Sequence, residues 1–85
     1  MIRILFFASL RERLGEAEVT LAPAPELKTV ADVRAALAAR TDGRWAELLS
    51  VEQLLLAAVN ETMAPPETAV QDGDVVAFFP PVTGG

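Results

Sequence analysis

The chain has 85 residues, 52% of them apolar, and a net charge of −5 from twelve acidic and seven basic side chains. That length fits one small domain, and the apolar share suffices to build a core. The absence of cysteine and histidine excludes disulfides, thiolate metal sites, cysteine nucleophiles and the commonest general base and metal ligand. An acidic chain whose one lysine is Lys28 is poorly suited to nucleic-acid phosphates or an anionic membrane surface, because both need cationic neutralisation.

In chain order, residues 2–8 read as a strand, with Ile2, Ile4, Phe6 and Ala8 pointing one way and Arg3, Leu5 and Phe7 the other. Ser9 is placed to cap a short helical turn over Leu10 to Leu14, which Gly15 ends. Ala17 to Leu21 forms a second strand, and Pro23 and Pro25 stiffen the connector after it. Thr29 caps the main helix and Asp32 puts negative charge in its first turn. Val30, Val33 and Leu37 share its apolar face, Arg34 and Arg40 lie towards its edge or solvent side, and Gly43 is the stop signal. Arg44 to Ser50 predicts a helical turn that docks Trp45 and Leu48 or Leu49 on the core. Leu54 to Asn60 is a strand apolar on both faces, Glu61 to Pro65 adds a short strand after a turn, and Val75 to Phe79 is the last strand. Asp72-Gly73-Asp74 lacks the longer ligand series of a calcium loop and is read as the turn before that strand.

An initial hairpin, one main helix and further strands give an α+β fold: a β-grasp, ubiquitin-like mixed sheet with the helix across one face. Residues 1–79 form the domain and 80–85 a flexible, extended C-terminal tail. There is no window of the ~20 apolar residues that a membrane span needs. The apolar start, Met1 to Leu10, lacks a cleavage-type site after it. A soluble cytoplasmic protein is expected.

One helix covers one face, and the other should be polar if the domain works alone. Here Leu5, Phe7, Ala77 and Phe79, joined by Met63, are expected on the uncovered face as an apolar partner site, unless loops or the short helix cover them. Four such side chains would contribute ~6–12 kcal/mol on burial. Association costs about 4–15 kcal/mol, so the patch alone binds weakly. The segment Pro80-Pro81-Val82-Thr83-Gly84-Gly85 would supply the rest. Its prolines hold it extended, over about 20 Å. Gly84 and Gly85 have no Cβ and fit a channel closed to any side chain.

The run Val59-Asn60-Glu61-Thr62, then residues 72–85 from Asp72-Gly73-Asp74 to Thr83-Gly84-Gly85, resembles the small, sulfur-carrying subunit of molybdopterin synthase, and the start Ile-Arg-Ile-Leu-Phe-Phe-Ala with Arg11-Glu12 and Gly15 is similar too. The resemblance covers essentially the whole chain. It implies that a ubiquitin-activating-like adenylyltransferase uses ATP to adenylate Gly85, and that a sulfur source then leaves a thiocarboxylate there. The tail would enter the large synthase subunit, in a heterotetramer, and give sulfur to a cyclic pyranopterin phosphate to build the molybdopterin dithiolene. Gly85 would then be the reacting residue, and acid–base groups would belong to the large subunit. This chain would bind no cofactor and no metal. Three other readings use the same elements: a ubiquitin-like protein modifier, a thiamine-pathway sulfur carrier, and a β-grasp binding module with an incidental tail. Arg11 and Arg13 are read as a solvated face or as contacts to acidic groups of a partner or to a substrate phosphate, Trp45 as a core or rim anchor, and Lys28 as a surface lysine or a modification site.

Overall fold

The computed structural model describes residues 1–40, 43–50 and 53–81. Strand β1, Ile2–Phe6, alternates as the sequence predicts: Ile2, Ile4 and Phe6 are buried, Arg3 is exposed and Leu5 half-buried. Helix α1, Ala8–Leu14, follows and buries Leu10 and Leu14, one turn apart. It ends at Gly15 in the left-handed region (φ 75°), whose N–H donates to the Arg11 carbonyl. The N-cap differs from expectation. Phe7 holds it in extended conformation without a side-chain hydrogen bond, and Ser9 lies inside the first turn. The helix begins as soon as β1 ends, which leaves no room for a serine cap.

Strand β2, Glu18–Leu21, pairs antiparallel with β1. Helix α2, Val30–Ala38, starts on a reciprocal cap. Asp32 N–H donates to Thr29 Oγ1 at 3.2 Å, and the Thr29 and Lys28 N–H groups donate to Asp32 Oδ2 at 3.1 and 3.0 Å. The next two N–H groups, of Val30 and Ala31, donate to the carbonyls of Thr68 and Pro66. Gly43 does not stop this helix. α2 ends at Ala38, and Gly43 opens helix α3, Gly43–Leu48. Leu37 is the last buried residue of the α2 stripe, and Ala39 and Arg40 after it are exposed, so the stripe ends within α2.

Strands β3 (Leu56–Val59), β4 (Thr62–Met63) and β5 (Val75–Phe79) complete a five-stranded sheet in the order β2-β1-β5-β3-β4. β1 and β5 run parallel at its centre, and every other neighbour is antiparallel. This is the β-grasp arrangement. α2, α3 and α1 cover one face. Beneath them Ile2, Ile4, Phe6, Val33, Leu37, Leu49, Val76 and Phe78 are closed to solvent. Trp45 is a core anchor, edge-on to Phe6 with ring centroids 5.4 Å apart, and the Arg40 guanidinium caps its outer side at 4.7 Å. Of the two positions expected for it, edge or solvent side, Arg34 takes the edge. It is half-buried and donates to the carbonyls of Leu49 (2.9 Å), Ser50 and Gln53 (2.6 Å), tying the segment after α3 to α2. Among the described residues no helix is long and apolar enough to cross a membrane.

Candidate functional site

The sheet register defines a second face. Leu5 lies opposite Ala77, Ala77 opposite Ala58, Leu56 opposite Phe79, and Ala58 opposite Met63. Leu56, near the sheet edge, borders a groove on the helix side. Residues paired across neighbouring strands share a face, so Leu5, Ala77, Phe79, Ala58 and Met63 stand on the side away from α2. No helix covers it. Phe7, one residue past β1, remains 45% exposed and Met63 58% exposed. The expected set of Leu5, Phe7, Ala77 and Phe79 is thus brought together. Met63 joins it at the sheet edge, where it also borders a groove on the helix side.

The centre of this face is a concavity of ≈ 790 Å³, bounded by Leu5, Phe7, Ala8, Ala58, Val75, Ala77, Phe79 and Pro80, with Arg3, Asn60 and Glu61 on its rim. Ala58, Val75 and Glu61 were missed by the sequence reading, and Ala8, expected to end the first strand beside Ile2, Ile4 and Phe6, instead opens α1, exposed, because β1 stops at Phe6. Pairing β3 against β5 in register would have found Ala58 and Val75. Ala8 sits at φ 55°, in the left-handed region, and no sequence signal marks it, because alanine favours ordinary helix. The backbone there is held by the Phe7 N–H, which donates to the Phe78 carbonyl.

The rim is polar. Arg3 makes two hydrogen bonds of 3.0 Å to the Glu18 carboxylate, which raise the pKa of Arg3 and lower that of Glu18. On the opposite side, Asn60 and Glu61 form a two-residue hairpin turn between β3 and β4, both with positive φ (49° and 69°). Asn60 Nδ2 donates to Asp74 Oδ1 at 3.0 Å, and Val75 N–H donates to Asn60 Oδ1 at 3.0 Å. Gln71 N–H in turn donates to Asp74 Oδ2 at 2.9 Å, so Asp72-Gly73-Asp74 is the turn expected, with Gly73 at φ 93°. The N-terminal ammonium binds Asp72 and lowers its pKa. Between its rims the face is apolar, so its chemistry is that of binding.

Pro80 and Pro81 leave β5 at the end of this face that carries Phe7, and both are half-buried. The expectations for Val82, Thr83, Gly84 and Gly85 lie outside the described residues. A second concavity, of ≈ 670 Å³, lies on the helix side between α2 and the β3–β4 edge, lined by residues such as Ala31, Arg34, Ala38, Leu55, Pro65 and Pro66. Pro80 borders the first concavity and not this one.

Fold and face together define a ubiquitin-like β-grasp domain with an apolar open sheet face that leads into the C-terminal segment. The chain belongs to the ThiS family, whose model matches residues 4–85. It is 47% identical to the molybdopterin synthase sulfur carrier subunit of Escherichia coli and 45% identical to that of Haemophilus influenzae, in each case over 100% of both chains. Among solved structures it resembles the small archaeal modifier protein 1 of Haloferax volcanii, with a TM-score of 0.76 and 27% identity over 99% of this chain and 98% of that one.

Proposed function

We propose that this chain is the sulfur carrier subunit of a molybdopterin synthase and works in the cytoplasm. A ubiquitin-activating-like enzyme adenylates Gly85 with ATP, because a carboxylate is a poor electrophile until its oxygen becomes a good leaving group. Pyrophosphate leaves in that step. A sulfur donor then displaces AMP and leaves a thiocarboxylate, which is anionic at neutral pH, and anionic sulfur is the nucleophilic form. The chain docks on the large subunit through Leu5, Phe7, Met63 and Phe79, and the tail from Pro80 through Pro81, Val82, Thr83 and Gly84 carries the sulfur inward. Two such deliveries to a cyclic pyranopterin monophosphate build the dithiolene, in a heterotetramer with carriers at opposite ends of a large-subunit dimer. Acid–base side chains belong to the large subunit, and this chain holds no cofactor or metal of its own.

The observation that supports this reading best is continuity: the apolar face runs through Phe79 directly into Pro80 and Pro81. The names of the curated relatives point the same way. The test is the intact mass of the protein from its native host, with the change mapped to the last peptide so that methionine oxidation is not mistaken for it. Exchange of one oxygen for sulfur at Gly85 is expected. Deleting Gly85 should abolish sulfur transfer in a reaction with purified partners and leave the unfolding midpoint unchanged; a deletion variant that still made molybdopterin would refute the proposal. The likeness to an archaeal modifier protein favours a second reading, a protein modifier using the same adenylated tail, which isopeptide-linked conjugates in cells would reveal.

A further inference from the structure

Two charged side chains rim the open face, and they differ in one respect. Arg3 is neutralised by its two hydrogen bonds to Glu18. The Glu61 carboxylate is exposed and has no hydrogen-bond or ion-pair partner among the described residues. Its backbone adds a second, independent observation. Glu61 holds φ 69° as the second residue of a two-residue hairpin turn that begins with Asn60. Asn-Gly is the favoured pair at such a turn, because glycine takes positive φ without steric penalty. A glutamate there destabilises the hairpin relative to glycine, yet it sets an uncompensated negative charge beside the apolar concavity. The turn is also fixed in place: Asn60 is bonded to Asp74 and to the backbone of Val75, so the base of the Glu61 side chain has a defined position.

Resting on the docking reading above, we infer that Glu61 is a specificity-determining contact. It meets a lysine or arginine on the surface that covers the open face, and so sets which way round and against which surface the domain seats. A rim charge of this kind acts mainly on encounter rate and discrimination and little on the total affinity. Its effect is screened by salt.

The test measures docking of the full-length chain on the purified large synthase subunit, in low salt (about 0.05 M) and high salt (about 0.5 M). In low salt Glu61→Gln should weaken docking about threefold and Glu61→Lys about tenfold, chiefly through slower association, with both differences falling below about twofold in high salt. Glu61→Gly separates this role from a structural one: the variant should unfold at higher urea than the parent and still dock as weakly as Glu61→Gln. Phe79→Ala is the control for the face itself. If it weakens docking while Glu61→Gln and Glu61→Gly dock like the parent in low salt, the role of Glu61 is refuted and the docking reading stands. If Phe79→Ala docks like the parent, the docking reading fails and takes this inference with it.

Discussion

A side chain that serves the fold and one that serves a partner differ in what its removal does. Phe7 is 45% exposed, although its neighbour Phe6 is 1% exposed in the core. Phe7→Ala should therefore leave the urea midpoint almost unchanged while weakening docking on a partner by roughly 5- to 150-fold, as expected for an aromatic anchor worth roughly 1–3 kcal/mol. Equilibrium unfolding and a binding isotherm on the same variant check both halves. Leu5, Phe7 and Phe79 were legible in the sequence because strand alternation has a period of two and β1 and β5 alternate cleanly. Glu61 and Ala8 were not, since their part in the site follows from positive φ, a property of the folded backbone that a glutamate or an alanine does not advertise.

The start of α2 shows an element whose boundary is written in local chemistry. Thr29 and Asp32 satisfy each other's backbone donors, and the Lys28 N–H, followed by the Thr29 contacts, draws the Asp32 carboxyl below its ordinary pKa. Arg3 does the same for Glu18, and the N-terminal ammonium for Asp72. Each of these groups has a lower pKa folded than unfolded. The stability it contributes is complete above the ordinary carboxylate range, about pH 4, and is lost as pH falls through the lower folded value. Urea melts should accordingly give a level stability from neutral pH down to about 5, then a decline from about 4 towards 2. Asp32→Asn, which keeps a cap acceptor without the titration, should flatten part of that decline; an unaltered acid slope in the variant would remove Asp32 from the account. The other ends of elements were harder to read. Gly43 looked like a stop because it follows a helical pattern, but α2 ends where its buried stripe ends, at a tertiary limit that no residue marks. Ser9 is a good cap by type, yet the chain enters α1 too abruptly from β1 to use it. Arg34 reads as an edge or solvent-side residue, and its hydrogen bonds to the segment after α3 were not legible because they join residues far apart in sequence.

In the whole molecule the two faces of one sheet differ in burial: one lies under the helices and the other carries exposed apolar side chains. Leu37 is closed to solvent under the helix side, and Leu37→Ala should cost about 2–5 kcal/mol, a large part of the roughly 5–15 kcal/mol available to a small domain. Met63, 58% exposed on the other side, should tolerate the same truncation with little change in thermal midpoint. Calorimetry on the pair measures the contrast, and equal losses would mean that the open face also holds the fold together. The overall topology was legible from element order, because a helix between strand pairs has few ways to cover a mixed sheet. The side-by-side placement of β1 and β5 has a further consequence. Ile4 cannot meet Val76 until synthesis has passed β5. A fragment that stops before Val75 lacks the middle strand of its sheet. Synthesis therefore has to pass Phe79 before the sheet can close at its centre, and products that stop short of it cannot present the open face.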